Sequence, residues 1–168
     1  LTTVEFANKL GQVPLEFQPG EKWAYGFSAD ILGAVIEVIS GKEYREFLKE
    51  EFFIPLEMID TDFYVPEEKW ERFAKVYEYF EEEPKLRPYQ GYNLAIMRQN
   101  RLPGFQSGGA GLVSTLDDYL HFDTMILNNG VYKGNRILSK ESIDFMRTNH
   151  LNEEQLKSYD WEDLKGYG

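Results

Sequence analysis

His121 and His150 are the only side chains of this chain whose unperturbed titration falls near neutral pH. Asp117 and Asp118 precede His121 by four and three residues, which places all three on one face if the segment is helical. Histidine beside carboxylates is metal-ligand chemistry. A catalytic zinc takes three protein ligands, however, and the spacing reads first as charge on a helix surface. The chain has no cysteine, which removes disulfides, thiolate zinc sites and a thiol nucleophile. Gly104-Phe105-Gln106-Ser107-Gly108-Gly109-Ala110-Gly111 is a glycine-rich run ahead of a helix, the form of an anion cradle. A phosphate loop would end in Gly-Lys-Ser/Thr, whereas Gly111 is followed by Leu112-Val113. The run is expected to be structural, letting backbone come close to another surface. Gly26-Phe27-Ser28-Ala29-Asp30 misses the nucleophile elbow Gly-x-Ser-x-Gly at its last position, which carries a charged side chain. Ser28 reads better as a helix N-cap. No spacing assembles a Ser-His-Asp triad.

The elements that would position these groups are mostly helical. Residues 3–10 form a short helix with Val4, Phe6, Ala7 and Leu10, stopped at Gly11. Pro14 and Pro19-Gly20 mark irregular chain. After Ser28, the residues Ile31, Leu32, Val35, Ile36 and Ile39 recur at helical spacing up to Ser40-Gly41, and this is expected to be the most buried helix. A second helix is expected at about 43–53, with Tyr44, Phe47 and Leu48 inward, ended by Ile54-Pro55-Leu56. Residues 73–80 read as a strand, and Pro84 to Tyr92 as a loop. Thr115 with Asp118 caps a helix whose apolar face is Leu116, Tyr119, Leu120, Ile126 and Leu127, ending at Asn128-Asn129-Gly130. Val131-Tyr132 and Arg136-Ile137-Leu138 flank Lys133-Gly134-Asn135 as a small hairpin, and Ser139 caps a helix to about Thr148. The stretch from Asn152 is acidic and runs to Gly166-Tyr167-Gly168. The fold class is mainly α with a few short strands.

Composition narrows the partners. At 168 residues, 42% hydrophobic and 15% aromatic, the chain is one globular region with material for a core, and not a disordered one. No apolar run approaches 18 residues, so no membrane span is expected, and Leu1-Thr2-Thr3-Val4-Glu5 has no signal-peptide character. The compartment is open. Net charge is −11, and all of it lies in residues 1–84, with 19 acids against 8 bases. Such a surface repels nucleic acid and anionic lipid. Runs such as Glu50-Glu51 and Glu81-Glu82-Glu83 read as solvated faces.

Three stretches resemble the serine β-lactamase and penicillin-binding-protein-like hydrolases, which include class C β-lactamases, family VIII esterases and D-aminopeptidases. The first is Phe17-Gln18-Pro19-Gly20-Glu21-Lys22-Trp23-Ala24-Tyr25-Gly26-Phe27-Ser28-Ala29-Asp30-Ile31-Leu32-Gly33, continuing to Ser40-Gly41-Lys42. The second is Pro55-Leu56-Glu57-Met58-Ile59-Asp60-Thr61-Asp62-Phe63. The third runs from Gly108-Gly109-Ala110-Gly111-Leu112-Val113-Ser114-Thr115 through Asn129-Gly130 to Arg136-Ile137-Leu138. The resemblance implies the helical region of a β-lactamase/transpeptidase-like α/β fold. It implies a serine nucleophile in Ser-x-x-Lys, a tyrosine acting as base or relay, and a Lys-Thr-Gly or His-x-Gly strand at the oxyanion hole. It implies no cofactor.

Only the tyrosine loop is present, as Tyr25-Gly26-Phe27, and Tyr25 is carried over as the catalytic tyrosine. Phe27 stands where β-lactamases have Asn, which leans the chemistry toward esters or peptides and away from β-lactams. No serine has a lysine three residues later, and neither Lys-Thr-Gly nor His-x-Gly occurs. The expectation is a middle fragment, residues 1–168 as one region, of a serine hydrolase whose catalytic sheet is mostly absent. The piece alone would be inactive and prone to self-association through uncovered apolar surface. In the full-length protein the partner would be a small-molecule or peptide substrate. The alternative is a non-catalytic module of the penicillin-recognising fold that binds a peptide or cell-wall ligand.

Overall fold

A computed structural model of the chain describes residues 1–80, 85–89 and 101–159. Helix α1 (Thr3–Leu10) opens with a reciprocal cap: Glu5 N donates to Thr2 Oγ1 at 3.2 Å and Thr2 N donates to Glu5 Oε2 at 2.9 Å. It packs against α2 (Ser28–Ser40), which ends at Gly41 in the left-handed region, φ +68°. Ser28 is the first helical residue of α2. The N-cap is Phe27, without a side-chain bond, so the expected Ser28 cap is corrected. The face of α2 turned inward is also not the expected one. Its buried residues are Asp30, Gly33 and Ala34, while Leu32, Val35 and Ile39 are exposed, Ile39 at 81%. The small residues explain the choice. A Cβ on Gly33 would sit 3.3 Å from the Tyr44 ring and 3.7 Å from Thr3 Cγ2, so α1 and the next helix approach α2 there.

That next helix is α3 (Tyr44–Leu48), which widens into a π-helical turn, Lys49–Phe53, closed by Ile54 N donating to Lys49 O. Phe53 and Leu56 then enter the core. Val113 and Asp62 exchange backbone bonds at 2.8 and 3.0 Å, joining the two halves of the sequence. The strand expected at 73–80 is the shorter β1 (Tyr77–Phe80). It pairs antiparallel with β2 (Lys85–Pro88), in what was expected to be loop. The remainder of that expected loop lies partly outside the described residues.

Helix α4 (Leu116–Leu127) starts as expected, with Asp118 N donating to Thr115 Oγ1 at 3.2 Å. Its inward face is Asp118 and Met125 with Phe122 and Ile126, whereas Leu116, Leu120 and Leu127 are exposed. Strands β3 (Val131–Tyr132) and β4 (Asn135–Arg136) form the expected hairpin, turned by Lys133 and Gly134 at φ +46° and +85°. Ser139 caps α5 (Lys140–Met146). A short helix, α6 (Glu153–Lys157), capped by Asn152, opens the acidic last stretch. Phe53, Leu56, Met58, Met125, Tyr132 and Ile143 form one core, and Phe63 is fully buried beside Tyr44 and Gly111.

Candidate functional site

The Tyr25-Gly26-Phe27 turn enters α2 and is gripped on both sides. Upstream, Trp23 N donates to Ser158 Oγ at 2.7 Å, and the Trp23 and Tyr159 rings meet edge to face at 4.7 Å. Downstream, the Phe27 ring packs on Phe6 at 5.5 Å, and Phe6 packs on Phe105 at 4.4 Å. Between these anchors Tyr25 is 73% exposed. Aromatic packing on either side thus holds the stretch in which Tyr25 stands exposed.

One turn into α2 the glycine-rich run crosses the helix. Gly108 lies so close that a Cβ there would come within 2.2 Å of Ala29 O. Ser107 and Asp30 are both buried, and the Ser107 hydroxyl donates to Asp30 Oδ1 at 2.6 Å. The same hydroxyl oxygen accepts from Ala110 N at 3.1 Å and Gly109 N at 3.3 Å, and Gly109 N also reaches Asp30 Oδ1 at 3.4 Å. The expectation of a structural loop in close backbone approach describes this contact. Gln106 extends the knot: its N donates to Thr3 Oγ1 at 3.1 Å, and its Oε1 accepts from Arg45 N at 2.6 Å. Burial, then the Asp30 charge, push the Tyr44 phenol above its ordinary pKa. Asp30 and Ser107 were not legible as a pair, because 77 residues separate them.

The other expected residues do not converge on Tyr25. Asp118, read as surface charge beside His121, is instead 3% exposed; its Oδ2 accepts from Asp60 N and Thr61 Oγ1, both at 2.7 Å. His121 packs on Tyr132, with ring centroids 5.3 Å apart, and its Nδ1 is buried without a hydrogen-bond partner. His150 lies against Phe145 at 4.0 Å. Among the described residues no three His, Asp or Glu side chains are grouped to hold a metal. A separate ion cluster sits at Asp60, flanked by Arg72 at 2.6 Å and Lys69 at 2.5 Å, which hold its carboxyl down at about 2. None of the described helices is long and apolar enough to cross a membrane.

The sequence profile of the beta-lactamase family matches residues 2–165. Protein Rv1367c of Mycobacterium tuberculosis is 36% identical over 146 residues, 87% of this chain and 35% of that protein. Esterase EstB of Burkholderia gladioli is 34% identical over 127 residues, 69% of this chain and 32% of the esterase. The chain thus spans about a third of the length of these relatives. The solved structure of EstCE1, a hydrolase with promiscuous acyltransferase activity, superposes at TM-score 0.73. It shares 24% identity, over 88% of this chain and 40% of that one. It has the same fold, β-lactamase/transpeptidase-like.

Proposed function

The chain belongs to the beta-lactamase family, and we propose that it is the helical part of a serine hydrolase acting through an acyl-enzyme. Tyr25 is its proton-transferring residue. The observation that carries the reading is the exposed Tyr25 phenol, held in a turn packed on both sides, within the span matched by the family. In the reaction, a serine hydroxyl attacks the substrate carbonyl and gives its proton to the Tyr25 oxygen. That proton passes to the departing alcohol or amine as the acyl-oxygen or acyl-nitrogen bond breaks. The serine, in Ser-x-x-Lys, and the oxyanion-hole strand are not among these 168 residues, and the remainder of a longer protein supplies them. The exposed apolar faces of α2 and α4 support this, since such faces are normally covered. In an isolated chain the same faces favour self-association. Esters or peptides are the substrates in preference to β-lactams: a relative is named an esterase, and Phe27 offers no amide where the resemblance places Asn.

The test is Tyr25→Phe in the full-length protein with 4-nitrophenyl butyrate. Loss of a proton-transferring group predicts a fall in kcat/KM of about 10²–10⁴-fold. Unchanged hydrolysis would contradict the role given to Tyr25. A wild type without any hydrolysis would favour the non-catalytic module instead.

A further inference from the structure

We propose that Asp30 is a positioning residue for Tyr25, acting through Ser107 and the glycine-rich run; this rests on the reading of Tyr25 as the proton-transferring residue. A carboxyl group 5% exposed is not there to decorate a surface, and burying it is costly unless donors meet it. The donors come from the loop across the helix, the Ser107 hydroxyl at 2.6 Å and Gly109 N at 3.4 Å. Ser107 has a fixed polarity. Its oxygen already accepts from Gly109 N and Ala110 N, so its one proton goes to Asp30. The bond is therefore directional. Beside it the two backbones touch, with Gly108 against Ala29 O, so the loop and the first turn of α2 have no slack to adjust independently.

Tyr25 lies five residues before Asp30, in the chain that leads directly into α2, whose first turn is closed by Ile31 N donating to the Phe27 carbonyl at 3.0 Å. Removing the Asp30 carboxylate leaves the Ser107 proton and one bond of Gly109 N without an acceptor in a buried site. The loop and the first turn of α2 then shift relative to each other, and the Tyr25 oxygen shifts with them. A misplacement of about 1 Å in a reacting group costs on the order of 100-fold in rate.

The experiment is steady-state kinetics of the full-length protein on 4-nitrophenyl butyrate, for wild type, Asp30→Ala, Asp30→Asn, Ser107→Ala, Tyr25→Phe and the Asp30→Ala/Tyr25→Phe double variant. End-point labelling with a fluorophosphonate ester counts reactive sites in each variant, so a loss of folded protein is separated from a loss of rate. The expected result is a kcat per site about 10- to 100-fold lower in Asp30→Ala. KM should stay within about twofold, Asp30→Asn should be largely restored through its amide oxygen, and the double variant should be no slower than Tyr25→Phe alone. If Asp30→Ala does not fold, Ser107→Ala is expected to show the same split, because it removes the same bond. Unchanged kcat per site with only a lowered Tm would overturn the proposal while leaving Tyr25 standing. So would a full further loss in the Tyr25→Phe background. Full activity of Tyr25→Phe would overturn the Tyr25 reading and this proposal together.

Discussion

Single residues in this chain are set by partners outside their own turn of chain, from about ten positions away at Asp60 to 77 at Asp30. Asp60 is the clearest electrostatic case, with Arg72 and Lys69 holding its carboxyl at about 2. A carboxyl depressed below its ordinary value near 4 stabilises the fold above that value, and the contribution is lost as pH falls through about 2. Arg72 is 61% exposed, so solvent screening reduces the gain. Asp60→Asn is expected to lower unfolding stability by about 1 kcal/mol at pH 7 and by nothing measurable near pH 2. Urea melts at the two pH values check it, and an equal loss at both would refute the ionic origin. Tyr25 stands out in the sequence because its loop resembles a motif, and its role is a proposal. Asp30 does not stand out, since what defines it is a hydroxyl 77 positions away.

At the scale of elements, the glycine-rich run is shaped by the helix it crosses. Gly108→Ala puts a Cβ 2.2 Å from backbone at Ala29, and neither side can yield as a flexible side chain would. An overpacking loss of about 1–3 kcal/mol is expected. Gly26→Ala, with nothing within 4 Å of its added Cβ, should stay within about 0.5 kcal/mol. Thermal melts of both variants compare them, and equal Tm values would contradict the close approach. Sequence located α1, α2 and α4 and the Thr115 cap of α4, because capping and 3.6-residue periodicity are local, but the Ser28 cap expected for α2 does not form. It misjudged which faces are buried. In α2 the apolar stripe of Leu32, Val35 and Ile39 is exposed, while Gly33, Ala34 and Asp30 face inward. In α4, Leu116, Leu120 and Leu127 are exposed in the same way. Periodicity reports that a face is apolar, not which neighbour covers it, and small residues at Gly33 and Ala34 decided where α1 and α3 could dock. The β2 strand was equally beyond a local reading, since it is defined by its pairing with β1.

The whole molecule carries the same message. Exposed Leu32, Val38 and Ile39 on α2, and Leu116 and Leu127 on α4, are apolar surface that a larger hydrolase would cover. These faces support the proposal that Tyr25 meets catalytic groups contributed by another part of a longer polypeptide. The most direct measurement is to treat the full-length protein with a fluorophosphonate ester and locate the modified residue by peptide mass spectrometry. The account predicts a single phosphonylated serine outside residues 1–168, followed three positions later by lysine. Modification of a serine within these residues, or none at all under conditions that label a serine esterase, would contradict it.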